Sequence, residues 1–159
     1  MIFVTLGTQD KEYKRLLEAV DREIENGKIK EKVIAQVGCT KYESDNMEIV
    51  DYLDQDAFNK YLKDCSLLIT HGGVGSILSA LKLGKTIIAA PRLAKFKEHV
   101  NDHQIQIVES FSDEKYILGL KDFSKLGSLI DKSKTFKPKK FISNTDNMIK
   151  NLEEYIDKI

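Results

Sequence analysis

The chain has 159 residues, enough for one domain with a sizeable core. Its 25 basic and 25 acidic side chains cancel, which removes any net field that would gather nucleic acid or favour an acidic surface. Two separate cysteines, Cys39 and Cys65, without CxxC spacing argue against a disulfide framework or a zinc site and for a reducing compartment.

The chain opens MIFVTLGT, too short and uncharged for a signal peptide. Ile2 to Thr5 reads instead as a buried strand stopping at Gly7. From Tyr13 to Ile24, apolar residues at Tyr13, Leu16, Leu17, Val20 and Ile24 give helical spacing, and Asn26-Gly27 ends the run. Val33 to Val37 predicts a second strand ending at Gly38, and Met47 to Leu53 a weaker third. A short helix follows over Ala57 to Leu62, with Asp54 or Asp56 as its cap. Leu67 to Ile69 is a compact strand, and Val74 to Leu83 a helix ending at Gly84. Thr86 to Ala90 is a strand closed by Pro91. A helix is expected from His99 to Phe111, a strand over Tyr116 to Leu118, and a helix from Phe123 to Ile130. Lys132 to Lys140 holds five lysines, one proline and no acid. It reads as part of a basic linker over residues 132–144, before a last amphipathic helix from Asp146 to Ile159. No apolar run nears the roughly 20 residues that span a bilayer, so the expectation is a soluble, cytoplasmic protein.

Strands alternating with helices predict a single α/β domain over residues 1–159. Its architecture would be an open parallel Rossmann-like sheet with helices on both faces. Ligands of such sheets bind beyond the carboxyl ends of the strands, where Gly7, Gly38, Gly72 and Gly73 fall. The densest signal is Leu67 to Leu78, in which a strand runs through Thr70-His71-Gly72-Gly73-Val74-Gly75-Ser76 into a helix. Glycines there let backbone amides approach an anion, and the helix start adds unpaired donors and partial positive charge. Ser76 supplies a hydroxyl. The pattern suits a diphosphate, although a turn of this kind also occurs without a ligand. It lacks the Gly-Lys-Ser/Thr of a P-loop, and Leu78 stands where the third glycine of a dinucleotide fingerprint belongs. Glu98 to Gln104 is rich in hydrogen-bonding side chains. Asp102 and Gln104 could bind sugar hydroxyls, or the segment could be a solvated helix start. Arg92, Lys95 and Lys97 form a basic loop that suits an acceptor's pyrophosphate, anionic lipid or plain solvent. No metal cluster is visible, and no general base can be assigned.

These segments together resemble the C-terminal, donor-binding half of GT-B glycosyltransferases, specifically the glycosyltransferase family 28 C-terminal domain. His71 to Ser76, Gly84-Lys85, Pro91 and Asp102-His103-Gln104 reproduce the family's order and spacing. Gly7-Thr8 matches a second donor loop, and the likeness covers nearly the whole chain. Small single-domain members are the most similar. They include the cytosolic donor subunit of the dolichol-linked N-acetylglucosamine transferase and bacterial counterparts in capsule and exopolysaccharide synthesis (the PssE type). Pro91-Arg92-Leu93 and Glu98 to Gln104 favour the bacterial group.

The resemblance implies a donor-binding subunit of a two-subunit glycosyltransferase. It would take a UDP-sugar as substrate, use no separate cofactor or metal, and pass the sugar to a lipid-linked saccharide. A membrane-associated partner subunit would bind that acceptor, supply the base and hold the chain at the inner face of the membrane. The family's roles place Gly7, Thr8, His71, Gly72, Gly73, Gly75 and Ser76 at the donor phosphates. They place His103 and Gln104 at the transferred sugar, and Tyr52 and Leu53 at the uracil. One position departs. Where the family carries an acidic residue for the ribose hydroxyls this chain has Ser79, which offers one hydrogen bond in place of a charged bidentate contact. That departure keeps a second reading open, a non-catalytic helper of a partner transferase. A stand-alone sugar-nucleotide enzyme such as an epimerase is a further rival.

Overall fold

The structure, a computed structural model, describes residues 1–141. The helix expected over residues 146–159 and the end of the expected linker lie outside the described residues.

Six strands form one sheet: β1 (Ile2–Thr5), β2 (Val33–Gln36), β3 (Glu48–Val50), β4 (Leu67–His71), β5 (Ile87–Ala90) and β6 (Leu118–Gly119). Their order is β3-β2-β1-β4-β5-β6, and every neighbouring pair is parallel. Five helices cover it: α1 (Lys14–Glu25), α2 (Gln55–Asp64), α3 (Val74–Lys82), α4 (His103–Asp113) and α5 (Leu126–Ser133). This is the expected open, doubly wound sheet.

The pleat explains the two layers. Ile2, Val4, Ile69, Ile88 and Ala90 face one side and pack with Leu16, Leu17 and Val20 of α1 and Leu126 and Ile130 of α5. Phe3, Leu68, Ile87 and Ala89 face the other and meet Leu62 of α2, Ile77 and Leu81 of α3, and Ile107, Val108 and Phe111 of α4. Strands covered on both faces must be apolar at successive positions, which is why β1, β4 and β5 read as short unbroken hydrophobic runs. Each fully buried Leu, Ile or Phe contributes on the order of 1.5–3 kcal/mol.

Helix ends depart from the periodicity for identifiable reasons. Asp54 caps α2, its Oδ1 accepting from the Ala57 amide at 2.8 Å, so the helix starts before the expected Ala57. The helix expected from His99 begins at His103. Lys97 adopts a left-handed φ of 59°, the His99 ring accepts from the Asn101 amide, and Asn101 Oδ1 accepts from the His103 amide at 3.0 Å. These local bonds outcompete the helical ladder. The expected helix start at Phe123 is a short 3-10 turn over Phe123–Lys125, with Asp122 accepting from the Ser124 amide. The α5 helix then runs to Ser133, so the basic segment starts inside a helix rather than as linker. Among the described residues no helix is long and apolar enough to cross a membrane.

Candidate functional site

The chain winds from β1 outward to β2 and β3, then returns to lay β4 on the other side of β1. Loops leaving β1 and β4 therefore diverge, and a crevice opens between their carboxyl ends, the usual ligand position of such sheets. Gly7 leaves β1 at a φ of +80°, and its amide donates to Thr5 Oγ1 at 3.3 Å. Across the crevice, β4 ends at His71, and Gly72-Gly73 lead directly into α3. Gly73 is the cap of α3 and offers no side chain. The first-turn amides of a helix have no partner inside it, so α3 presents donors and partial positive charge to the crevice.

The four glycines of these two loops are there for different reasons. A Cβ on Gly73 would sit 2.1 Å from His71 Cε1, and one on Gly7 2.5 Å from His71 Nε2. The imidazole is thus packed between the two loops, which only glycines permit. A Cβ on Gly72 would fall 2.9 Å from Gln104 Cβ and 3.0 Å from Val108. Gly75 has open space where its Cβ would be. Packing explains Gly7, Gly72 and Gly73; no neighbour requires a glycine at Gly75, where a glycine inside a helix costs about 1 kcal/mol relative to alanine.

His71 is buried, and its pKa is pushed down to about 3, first by desolvation and then by the nearby Arg92 and His99 charges. It is neutral at ordinary pH. Gln104 sets its orientation. The Gln104 Oε1 accepts from the Gly72 amide at 3.1 Å and the Arg92 amide at 3.0 Å. This leaves the Gln104 Nε2 donor facing His71 Nδ1 at 3.5 Å. With Nδ1 as acceptor the ring proton belongs on Nε2, so His71 can donate a hydrogen bond but cannot bring positive charge.

The crevice has a volume of about 470 Å³, and its lining includes Gly7, Thr8, His71, Gly73, Gly75, Ser76, Leu53 and Ser79, all expected from sequence. It also includes Thr5, Gln9, Gln36, Gln55 and Phe58, which sequence reading missed. Gln36 left a readable trace, a polar residue ending an otherwise apolar strand. Four expected site residues lie elsewhere. Gly72 is buried behind the turn. Gln104, 4% exposed, spends its amide on Gly72, Arg92 and His71 instead of facing a sugar. His103 opens α4 with its Nδ1 buried and lies outside the crevice lining. Tyr52 is exposed, packs by Gly38, and lines a neighbouring concavity of about 680 Å³ with Cys39, Tyr42 and Asp51. A further concavity, about 580 Å³, lies by Ile2, Ser66 and Leu67 at the opposite end of the sheet. Neither gathers the glycine turn and open helix start, so size does not decide the site.

The loop after β5 changes the meaning of its basic residues. Arg92 is 1% exposed, and Nη1 donates to the Lys11 and Glu98 carbonyls at 2.8 and 3.0 Å while Nη2 donates to the Leu6 carbonyl. Its guanidinium lies 5.0 Å from the centre of the Tyr13 ring. Arg92 is an internal clamp tying β1's exit loop to this segment, and it is not available to an acceptor. Buried Glu98 holds Arg15 in a bidentate pair at 2.7 Å and accepts from the Leu93 amide. Arg15 itself lies 4.3 Å from the ring centres of both Phe96 and Phe123.

Residues 1–159 match the glycosyltransferase family 28 C-terminal domain model. Among curated proteins, the UDP-N-acetylglucosamine transferase subunit ALG13 of Candida albicans is 27% identical over 81 residues, covering 51% of this chain and 26% of that protein. The zeaxanthin glucosyltransferase of Pseudescherichia vulneris is 28% identical over 96 residues, 57% of this chain and 22% of that one. The chain thus aligns with about a quarter of the length of each of these relatives. Among solved structures, the fold is shared with the kitacinnamycin glycotransferase (TM-score 0.63, 17% identity, covering 96% of this chain and 38% of that one). It is shared too with the solution structure of ALG13 (TM-score 0.62, 20% identity, 95% and 94%). The Rossmann-like sheet is therefore that of the C-terminal half of GT-B glycosyltransferases, and the chain belongs to the glycosyltransferase family 28 C-terminal domain family.

Proposed function

We propose that the chain is the donor-binding half of a two-subunit glycosyltransferase, taking a UDP-sugar in the crevice between β1 and β4. The observation that carries this reading is the uncapped start of α3, with Gly75 open to the crevice and Ser76 beside it. Backbone amides there would hold the diphosphate, and the neutral His71 would add one hydrogen bond without a net charge. As the bond to the sugar breaks, charge grows on the leaving UDP. Fixed donors at a helix start stabilise that charge without reorganising, the role a metal plays elsewhere. The UDP-sugar is a substrate, and the reading needs no cofactor.

The base that activates the acceptor hydroxyl would come from the partner. A histidine held near pKa 3 is too weak for that task. The relative named as a transferase subunit supports a partnered chain. The partner would be membrane-associated, would present a lipid-linked saccharide of a bacterial polysaccharide pathway, and would bring this cytoplasmic chain to the inner face of the membrane.

Ser79 favours a second reading, a non-catalytic helper. Its hydroxyl donates to the Gly75 carbonyl of its own helix at 2.9 Å, leaving only lone pairs for a ribose. Titration calorimetry of UDP into the chain, alone and co-expressed with its neighbouring gene product, separates the two. Binding in either form, with UDP released only by the pair, is the expected result. No binding in both, with the partner's transfer still enhanced, would make the chain a helper. Turnover by the chain alone would make it a free-standing enzyme.

A further inference from the structure

On the α2–α3 face of the sheet three polar side chains share one level. Parallel register sets Gln36 of β2 beside Thr5 of β1, and Thr5 beside Thr70 of β4. All three are at least 97% buried: Gln36 is 3% exposed, Thr5 and Thr70 0%. One level lower, the same face carries Phe3 and Leu68, both in the apolar core. The interior therefore turns polar where it meets the crevice. Thr5 Oγ1 is used, accepting from Gly7. Gln36 Oε1 and Thr70 Oγ1 are buried without a hydrogen-bond partner among the described residues. Gln36 also lines the crevice, whereas Thr70 does not.

A buried amide oxygen with no partner is rare in folded proteins and calls for an unseen one. Position narrows the partner's identity. The start of α3 lies toward β4, and Leu53 and Phe58 close the crevice on the β3–α2 side. Gln36, on β2, falls between them. Resting on the proposed function, a diphosphate at α3 extends its nucleoside over Gln36 toward the apolar side chains of Leu53 and Phe58. We propose that Gln36 is a nucleoside-reading residue, its side-chain amide pairing with the polar edge of the base. A carboxamide presents a donor and an acceptor side by side, matching the adjacent N–H and C=O of a uracil-type ring.

Nitrogen-15 spectra of the full chain, titrated with UDP and separately with inorganic pyrophosphate, test this. The Gln36 side-chain NH2 signal, assigned by triple-resonance spectra of the wild-type chain, should move with UDP and stay still with pyrophosphate. Gln36→Leu should weaken UDP at least tenfold while pyrophosphate affinity stays within about twofold. The wild-type side-chain signal gives an answer even if the variant folds poorly. UDP moving the α3 amides while the Gln36 signal stays fixed, or Gln36→Leu binding UDP as tightly as wild type, would overturn the assignment and leave the proposed function standing. Spectra unmoved by either ligand, for the chain alone and for the chain with its co-expressed partner, would remove both.

Discussion

At the scale of single residues, the glycine turn separates packing from binding. Gly73→Ala would drive a methyl into the His71 ring, and overpacking of this kind costs about 1–3 kcal/mol. Gly75→Ala meets nothing and removes a helical glycine, so stability should hold or rise by up to about 1 kcal/mol. The urea midpoint should therefore fall for Gly73→Ala and hold or rise for Gly75→Ala, while UDP titration shows weaker binding for Gly75→Ala. His71 gives a pH prediction. Its folded pKa lies near 3, below the ordinary 6.5. The stabilisation tied to the neutral ring is thus fully present above about pH 6.5 and lost as pH falls toward 3. On linkage grounds that single group costs on the order of 2–3 kcal/mol by pH 4.5. Ring chemical shifts should show no protonation of His71 between pH 8 and 5, and His71→Asn should flatten the acid limb of the stability profile. A ring titrating near pH 6.5 would refute the buried neutral imidazole.

Elements are held in place around the crevice by side chains that carry no catalytic signature. Arg92 bonds three carbonyls from the β1 exit loop and its own loop. Truncating it to Ala leaves the Leu6 and Glu98 carbonyls buried and unpaired at about 1–3 kcal/mol each, so a loss of about 3 kcal/mol or more is expected in urea unfolding. Arg92→Lys should recover only part, because an ammonium cannot reproduce the planar fork. By contrast, Lys95→Ala, on an exposed side chain, should leave the urea midpoint within about 0.5 kcal/mol of wild type. Asp54→Ala removes the α2 cap and should cost about 1 kcal/mol. Because Leu53 and Gln55 flank that cap and line the crevice, nucleotide binding should weaken with it. The boundaries of α4 and α5 follow the same logic. Periodicity reported where each apolar face lies, but not the local bonds of the entry segments, in which Asn101 accepts from the first residue of α4 and Asp122 caps the 3-10 turn that precedes α5.

For the molecule as a whole, the sheet order is the decisive fact, because it opens the crevice between β1 and β4 and brings Gly7 within reach of His71. The alternation of strands and helices, the two-sided burial of β1, β4 and β5, and the turn from His71 to Ser76 were legible in the chain. Each is a local pattern whose period or glycine content reports directly on backbone conformation. Tertiary structure alone decided the rest. Arg92 and Gln104 look like ligand-facing polar residues in sequence, yet their partners are backbone groups distant along the chain, and burial turns them into struts. Tyr52 and Leu53 are neighbours in sequence but line separate concavities. Gln36 drew no notice until register set it beside Thr5 at the level where the core meets the crevice. Sequence determines which backbone each segment can adopt. Whether a polar side chain serves the fold or a ligand depends on which distant group reaches it first, and only the folded chain settles that.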